Sequence, residues 1–136
     1  MRTEKKQQLA RLRHWRVRHK VCGTKERPRM SVCFTNKNIH VQFIDDDAGV
    51  TLAAVSTTSK AVPDRDKLGA NAVGAGIVGK LAAEAALAKG IKTVVFDRGG
   101  ARYHHRESKG KDGKRVLILG KLATLAEAAR ATGLKF

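Results

Sequence analysis

The stretch ARLRHWRVRHK, residues 10 to 20, sets four arginines, one lysine and two histidines around the only tryptophan of the chain. Guanidinium groups grip phosphate oxygens with paired hydrogen bonds, ammonium groups add point charge, and an indole can stack on an unpaired base. Arg11, Arg13, His14, Trp15, Arg16, Arg18, His19 and Lys20 therefore make a candidate contact set for a polyanion with accessible bases. Lys25, Arg27 and Arg29 prolong it. A hydrophobic plug against the domain is the alternative role for Trp15. A second basic cluster follows Asp97 and contains Arg98, Arg102, Tyr103, His104, His105 and Arg106. Adjacent histidines in extended chain point opposite ways, so this pair suits phosphate or base contacts better than a shared metal.

Other chemistries fit less well. Residues 74 to 79, GAGIVG, match the dinucleotide-binding pattern G-x-G-x-x-G, but that motif needs a strand immediately before it, and KLGANAV is not one. The simpler role for these glycines is to let a helix approach the sheet backbone closely. Asp97 closes an apolar run and stands before Arg98 and two glycines, a place where a catalytic acid or metal ligand would sit in an open α/β fold. The competing role is to cap the glycine turn and hold Arg98. The acidic run at residues 44 to 47, IDDD, fits a hairpin turn. Cys22 and Cys33 lie in no CxxC spacing and are expected to be small apolar fillers; with His14 and His19 they match no common zinc site. No serine or cysteine occupies a nucleophile elbow. No cofactor and no small-molecule substrate are expected.

Composition narrows the partner. A chain of 136 residues supports one domain, and with 42% hydrophobic but only 4% aromatic residues its core must be built from Val, Ile, Leu and Ala. The net charge of +16 is segregated: +9 over residues 1 to 29, zero over 30 to 97, and +5 over 98 to 115. A neutral body with two cationic regions is suited to a folded polyanion. The sequence has no secretory hydrophobic region and no apolar run of membrane length, so a reduced, cytosol-like compartment is expected.

The elements that must carry these residues follow from periodicity. Residues 1 to 22 have no adequate apolar face and are expected to be disordered or loosely helical alone, ordering against a partner. The body, residues 23 to 136, opens with three β-rich runs near 29 to 36, 39 to 46 and 50 to 57, separated by turn signals. A helix within ANAVGAGIVGKLAAEAALAKG, with Lys89 and Gly90 as its C-terminal signal, shows an apolar stripe of Val73, Ile77, Leu81 and Ala85, with Val78 and Leu87 beside it. IKTVVFD then returns to the sheet, and KLATLAEAARATG forms a last helix stopped by Gly133. The expected fold is one α/β domain: a mixed sheet of about four strands, a meander plus one further strand, packed by two helices.

VRHKVCGTKERPRMSV, NKNIHVQFIDD, TLAAVST, AAEAALAKGIKTVVFDRGG and the closing LAEAARATGLKF closely resemble the bacterial family of large-subunit ribosomal protein eighteen, which binds 5S ribosomal RNA. The likeness spans nearly the whole chain. It implies a mixed α/β body with a flexible basic N-terminus, no catalysis, no membrane partner, and a cytoplasmic, ribosome-bound place among 5S rRNA, large-subunit rRNA and neighbouring proteins. By position, the cations from Arg11 to Lys20 with Lys25, Arg27 and Arg29 resemble the family's RNA contacts, as do Asn36 and Lys37 at a hairpin tip and Arg98, Tyr103 and His104. Gly79 matches a glycine usual in the family, whereas Gly74 and Gly76 do not. The chain departs from the pattern at about 106 to 119, where RESKGKDGKRVLIL suggests an inserted basic hairpin. An RNA-processing enzyme using Asp97, or a nonspecific basic adaptor for acidic surfaces such as an anionic membrane, are the competing functions.

Overall fold

A computed structural model describes residues 2–64, 68–109 and 115–136. Three strands, β1 (Arg29–Phe34), β2 (Ile39–Asp45) and β3 (Val50–Ser56), form the antiparallel meander expected from the turn signals. Strand β2 shows why they pair: Ile39, Val41 and Phe43 are fully buried on one face while His40 and Gln42 lie on the other. Helix α2 (Ala72–Ala88) crosses the sheet and returns the chain to β4 (Val95–Asp97), which pairs in parallel with β1 to complete the order β3-β2-β1-β4. The hairpin β5 (His105–Lys109) and β6 (Arg115–Leu119) forms a separate two-stranded ribbon before helix α3 (Lys121–Ala131). Its GKDG turn and Lys114 lie outside the described residues.

Four expectations need correction. The strand within IKTVVFD is shorter than its apolar run, because Val94 N–H donates to Lys135 O (3.0 Å) and Thr93 bridges to Lys135, so the C-terminal tail takes the first half. Helix α2 does not bury the stripe read from large side chains. Val73 is 69% exposed, and the buried face is Gly74, Ala75, Val78, Gly79, Ala82, Ala83 and Ala86. The glycine that permits close approach is Gly79, and it faces α3 rather than the sheet: a Cβ there would collide with the backbone of Leu125. Gly74 instead sits in the first turn, its N–H donated to the capping Asn71 side chain (2.8 Å). Gly79→Ala is expected to destabilise the protein by about 1–3 kcal/mol through overpacking, read as a lower denaturation midpoint. Both cysteines are exposed rather than core fillers.

Residues Thr3–Arg18 form helix α1, with Glu4 in the first turn and Arg16 and Arg18 in the last, which complements the helix dipole. None of its residues is buried. No described helix is long and apolar enough to cross a membrane.

Candidate nucleic-acid interface

Because β4 runs parallel to β1, both strands end at the same edge of the domain. That edge gathers the β1–β2 turn, with exposed Asn36 and Lys37, and the segment from Arg98 onward. Asp97 shapes the exit: its Oδ1 accepts the Gly99 N–H (3.0 Å), capping a turn in which Gly99 and Gly100 have φ of 55° and 83°. A side chain at Gly99 would also collide with Val32 O, so only glycine lets the turn fold back this tightly. Asp97 does not hold Arg98. Its Oδ2 accepts instead from Arg29 Nη1 at 3.0 Å, and the carboxylate is only 3% exposed.

Arg29 and Asp46 form the centre of the ion-pair network. The Arg29 guanidinium gives Asp46 two hydrogen bonds, Nε to Oδ2 (2.9 Å) and Nη2 to Oδ1 (3.0 Å). Arg18 adds two more at 2.9 and 3.2 Å, and Gly23 N–H a fifth at 2.7 Å. The hydrogen bond from Arg29 holds the Asp46 carboxyl well below the usual carboxylate range, Arg18 and Gly23 adding to it against the opposing effect of burial. The acidic run therefore does two jobs. Asp45 Oδ1 accepts the Asp47 and Ala48 N–H groups and closes the hairpin turn, while Asp46 ties the end of α1 to the body.

Anchored at Arg18, helix α1 stands over the β4 turn without sealing onto it. Ala10, Arg11, Arg13, His14 and Val17 form one wall of a cleft of about 530 Å³, and Asp97, Arg98, Gly99 and Gly100 form the other. The cleft continues past His14, Phe34, Gly99, Gly100 and Ala101 into a shallower groove bounded by Phe34, Arg102, His104 and Lys121. These three adjoining clefts share lining residues and together make a channel from the arm to the base of the β5–β6 hairpin, with arginine and lysine side chains at its two ends. Within the described residues, no three His, Cys, Asp or Glu side chains come together as a metal site.

The candidate residues divide accordingly. Arg11, Arg13, His14, Arg98, Arg102 and His104 line the channel. Arg16, His19 and Lys20 are exposed outside it, and Trp15, at 59% exposure, is no plug. His105 and Arg106 are exposed on β5. Lys25 and Arg27 lie in the loop before β1, where Arg27 Nε donates to Val94 O (3.3 Å). Arg18 is committed to Asp46 and Val21 O, and Arg29 is buried between two carboxylates. Both guanidiniums are thus engaged within the protein. Tyr103 donates its hydroxyl to Glu127 (2.9 Å) and accepts from Arg130 (3.2 Å), while Arg130 also lies 4.5 Å over the Phe136 ring. Glu127 and Arg130 escaped sequence reasoning, although their i,i+3 spacing on a helix was a usable signal.

Comparison with known proteins matches residues 3–136 to the model of ribosomal L18 of archaea, bacteria, mitochondria and chloroplasts. The chain belongs to the ribosomal L18 family. Large ribosomal subunit protein uL18 of Lactobacillus acidophilus is 48% identical over 131 residues, covering 96% of this chain and 95% of the relative. The Lacticaseibacillus casei uL18 is 49% identical over 125 residues, covering 91% and 89%, and a Clostridium botulinum uL18 is 48% identical over 124 residues with the same coverage. Membership makes this chain a large-subunit ribosomal protein, and the ribosomal L18 fold here is the mixed sheet with its channel at the β1–β4 edge.

Proposed function

We propose that this protein is a structural, non-catalytic constituent of the large ribosomal subunit that binds 5S rRNA and helps attach it to the large-subunit rRNA. Its partners are then those two RNAs and neighbouring large-subunit proteins, on the ribosome in the cytoplasm. The observation that carries the reading is the channel in which Arg11, Arg13 and His14 of α1 face Arg98 across the glycine turn. Residues 1–22 act as the RNA-gripping arm, flexible when free, and residues 23–136 as the body that presents a shaped surface. Phosphates take the arm cations, while Trp15 and the Tyr103 ring, whose hydroxyl is already engaged, offer faces to unpaired bases. Asn36 and Lys37 extend the contact at the hairpin tip. Selectivity comes from RNA shape and single-stranded bases, since side chains cannot read the deep major groove of A-form RNA.

The test is competition at physiological salt. The protein should prefer 5S rRNA over an equal mass of transfer RNA; equal binding would reduce the reading to nonspecific polyanion affinity. If roughly six to ten phosphates are met, affinity should fall by about a thousandfold or more between about 50 and 200 mM salt. An RNA-cleaving role through Asp97 is disfavoured by its geometry, because both oxygens already hold partners in a buried site.

A further inference from the structure

The channel ends against the β5–β6 hairpin, and the hairpin is built as more than a connection. Its base is closed by Gly120 N–H donating to His104 O (2.9 Å), and its strands pair in register from His105↔Leu119 to Lys109↔Arg115. It joins no other described strand. Val116, Leu117 and Ile118 are each about half exposed, at 50, 55 and 50%. Because strand neighbours alternate faces, Leu117 stands on one face and Val116 with Ile118 on the other. Cations accompany both patches: the register puts Arg106 beside Ile118, and Lys109 with Arg115 on the Leu117 face. Arg106 and Lys109 form no ion pair with a described residue, and Arg115 reaches Glu107 only at 3.7 Å with both side chains mostly exposed. A pair so exposed contributes little.

Exposed aliphatic side chains flanked by unspent cations need a surface that is anionic and partly apolar. RNA supplies both, as phosphates beside riboses and unstacked bases, and the wide shallow minor groove of an A-form helix displays them. A second copy of this chain is disfavoured, since each carries a net charge of +16. We propose that the hairpin is a second RNA-gripping arm, which holds a ribosomal RNA segment at the far end of the channel that begins under α1. The ribbon meets the RNA with both faces: on one, Arg106 takes a phosphate while Val116 and Ile118 lie against sugar and base surfaces, and on the other Lys109 and Arg115 take phosphates. The inference rests on the RNA-binding reading of the channel.

Two variants of the full chain separate these contributions. One is Arg106→Gln/Lys109→Gln/Arg115→Gln. The other is Val116→Thr/Ile118→Thr, which keeps β-branching and strand preference. Each is titrated across salt against transcribed 5S rRNA and large-subunit rRNA, with hydroxyl-radical footprints. The charge variant should bind about tenfold or more weakly, with its log–log salt slope reduced by about 2–3. The apolar variant should bind more weakly at an unchanged slope. Both should lose protection at one common RNA segment, while the protections that depend on α1 stay in place. Parental affinity, slope and footprint in both variants would overturn the proposal and assign the hairpin to a protein partner. Failure of the unsubstituted protein to bind either RNA would instead overturn the RNA reading of the channel itself, a distinction visible before any variant is compared.

Discussion

Deleting residues 2–18 is expected to weaken rRNA binding by about a hundredfold or more at physiological salt and to lower the salt slope by roughly 0.7–0.9 for each phosphate that the arm no longer neutralises. The segment holds seven cations and one carboxylate, the densest charge in the chain. It also forms one whole wall of the channel, so its removal takes away both charge and enclosure. The body should survive. No residue of α1 is buried, and its side-chain tie to the domain is Arg18 on Asp46, which keeps its two hydrogen bonds from Arg29 and one from Gly23. A partly exposed pair of this kind contributes about 1 kcal/mol or less. Thermal unfolding should therefore shift by only a few degrees, as about 1 kcal/mol corresponds to roughly 2–8 °C across domains of this size range. Titration against 5S rRNA across salt checks the first half and calorimetry the second. Unfolding of the truncated protein would mean that the arm belongs to the core and that the division at about residue 22 is wrong.

The meander was legible because period-two alternation is a local property: Ile39, Val41 and Phe43 announce a half-buried strand from within their own segment. The β5–β6 hairpin was legible for a similar reason, a glycine-bounded turn between two extended runs. The buried face of α2 was not. That helix is apolar nearly all round, so the sequence contains no dominant stripe, and the face is chosen by what fits against α3. Small residues win there because Gly79 meets the Leu125 backbone, leaving the larger Val73 outside. The channel was half legible. Its cations were found by type and density, but which of them line it and which are spent inside the domain depends on pairings remote in sequence. Arg29 meets Asp46 at a separation of 17 residues and Asp97 at 68, and no short window along the chain contains all three. One signal was available: three consecutive aspartates in a strongly cationic chain need neighbours of opposite charge.

Arg29→Ala is expected to cost about 3–5 kcal/mol of folding stability, the range for removing one partner of a buried ion pair. The Arg29 side chain is 10% exposed, Asp97 3% and Asp46 16%, so water cannot replace the missing guanidinium at Asp97. Asp97 Oδ2 would be left charged and unpaired, with only the Gly99 N–H on its other oxygen. Neutralising it should recover part of the stability: Asn at position 97 keeps an acceptor for Gly99, so Arg29→Ala/Asp97→Asn should be more stable than Arg29→Ala alone. Acid provides an independent check. Asp46 is held below its ordinary value of 3.8, so its contribution is fully present above that pH and is lost as pH falls toward the depressed folded-state value. The parent should therefore lose stability steeply below pH about 4, and Arg29→Ala less steeply, because its Asp46 lacks the strongest of the hydrogen bonds that depress it. Denaturant midpoints measured from neutral pH into this window give both results. RNA affinity, compared at a temperature where both proteins are folded, should change much less than after removal of α1, because this guanidinium is spent inside the domain. A large fall in affinity with unchanged stability would return Arg29 to the RNA-contacting cations.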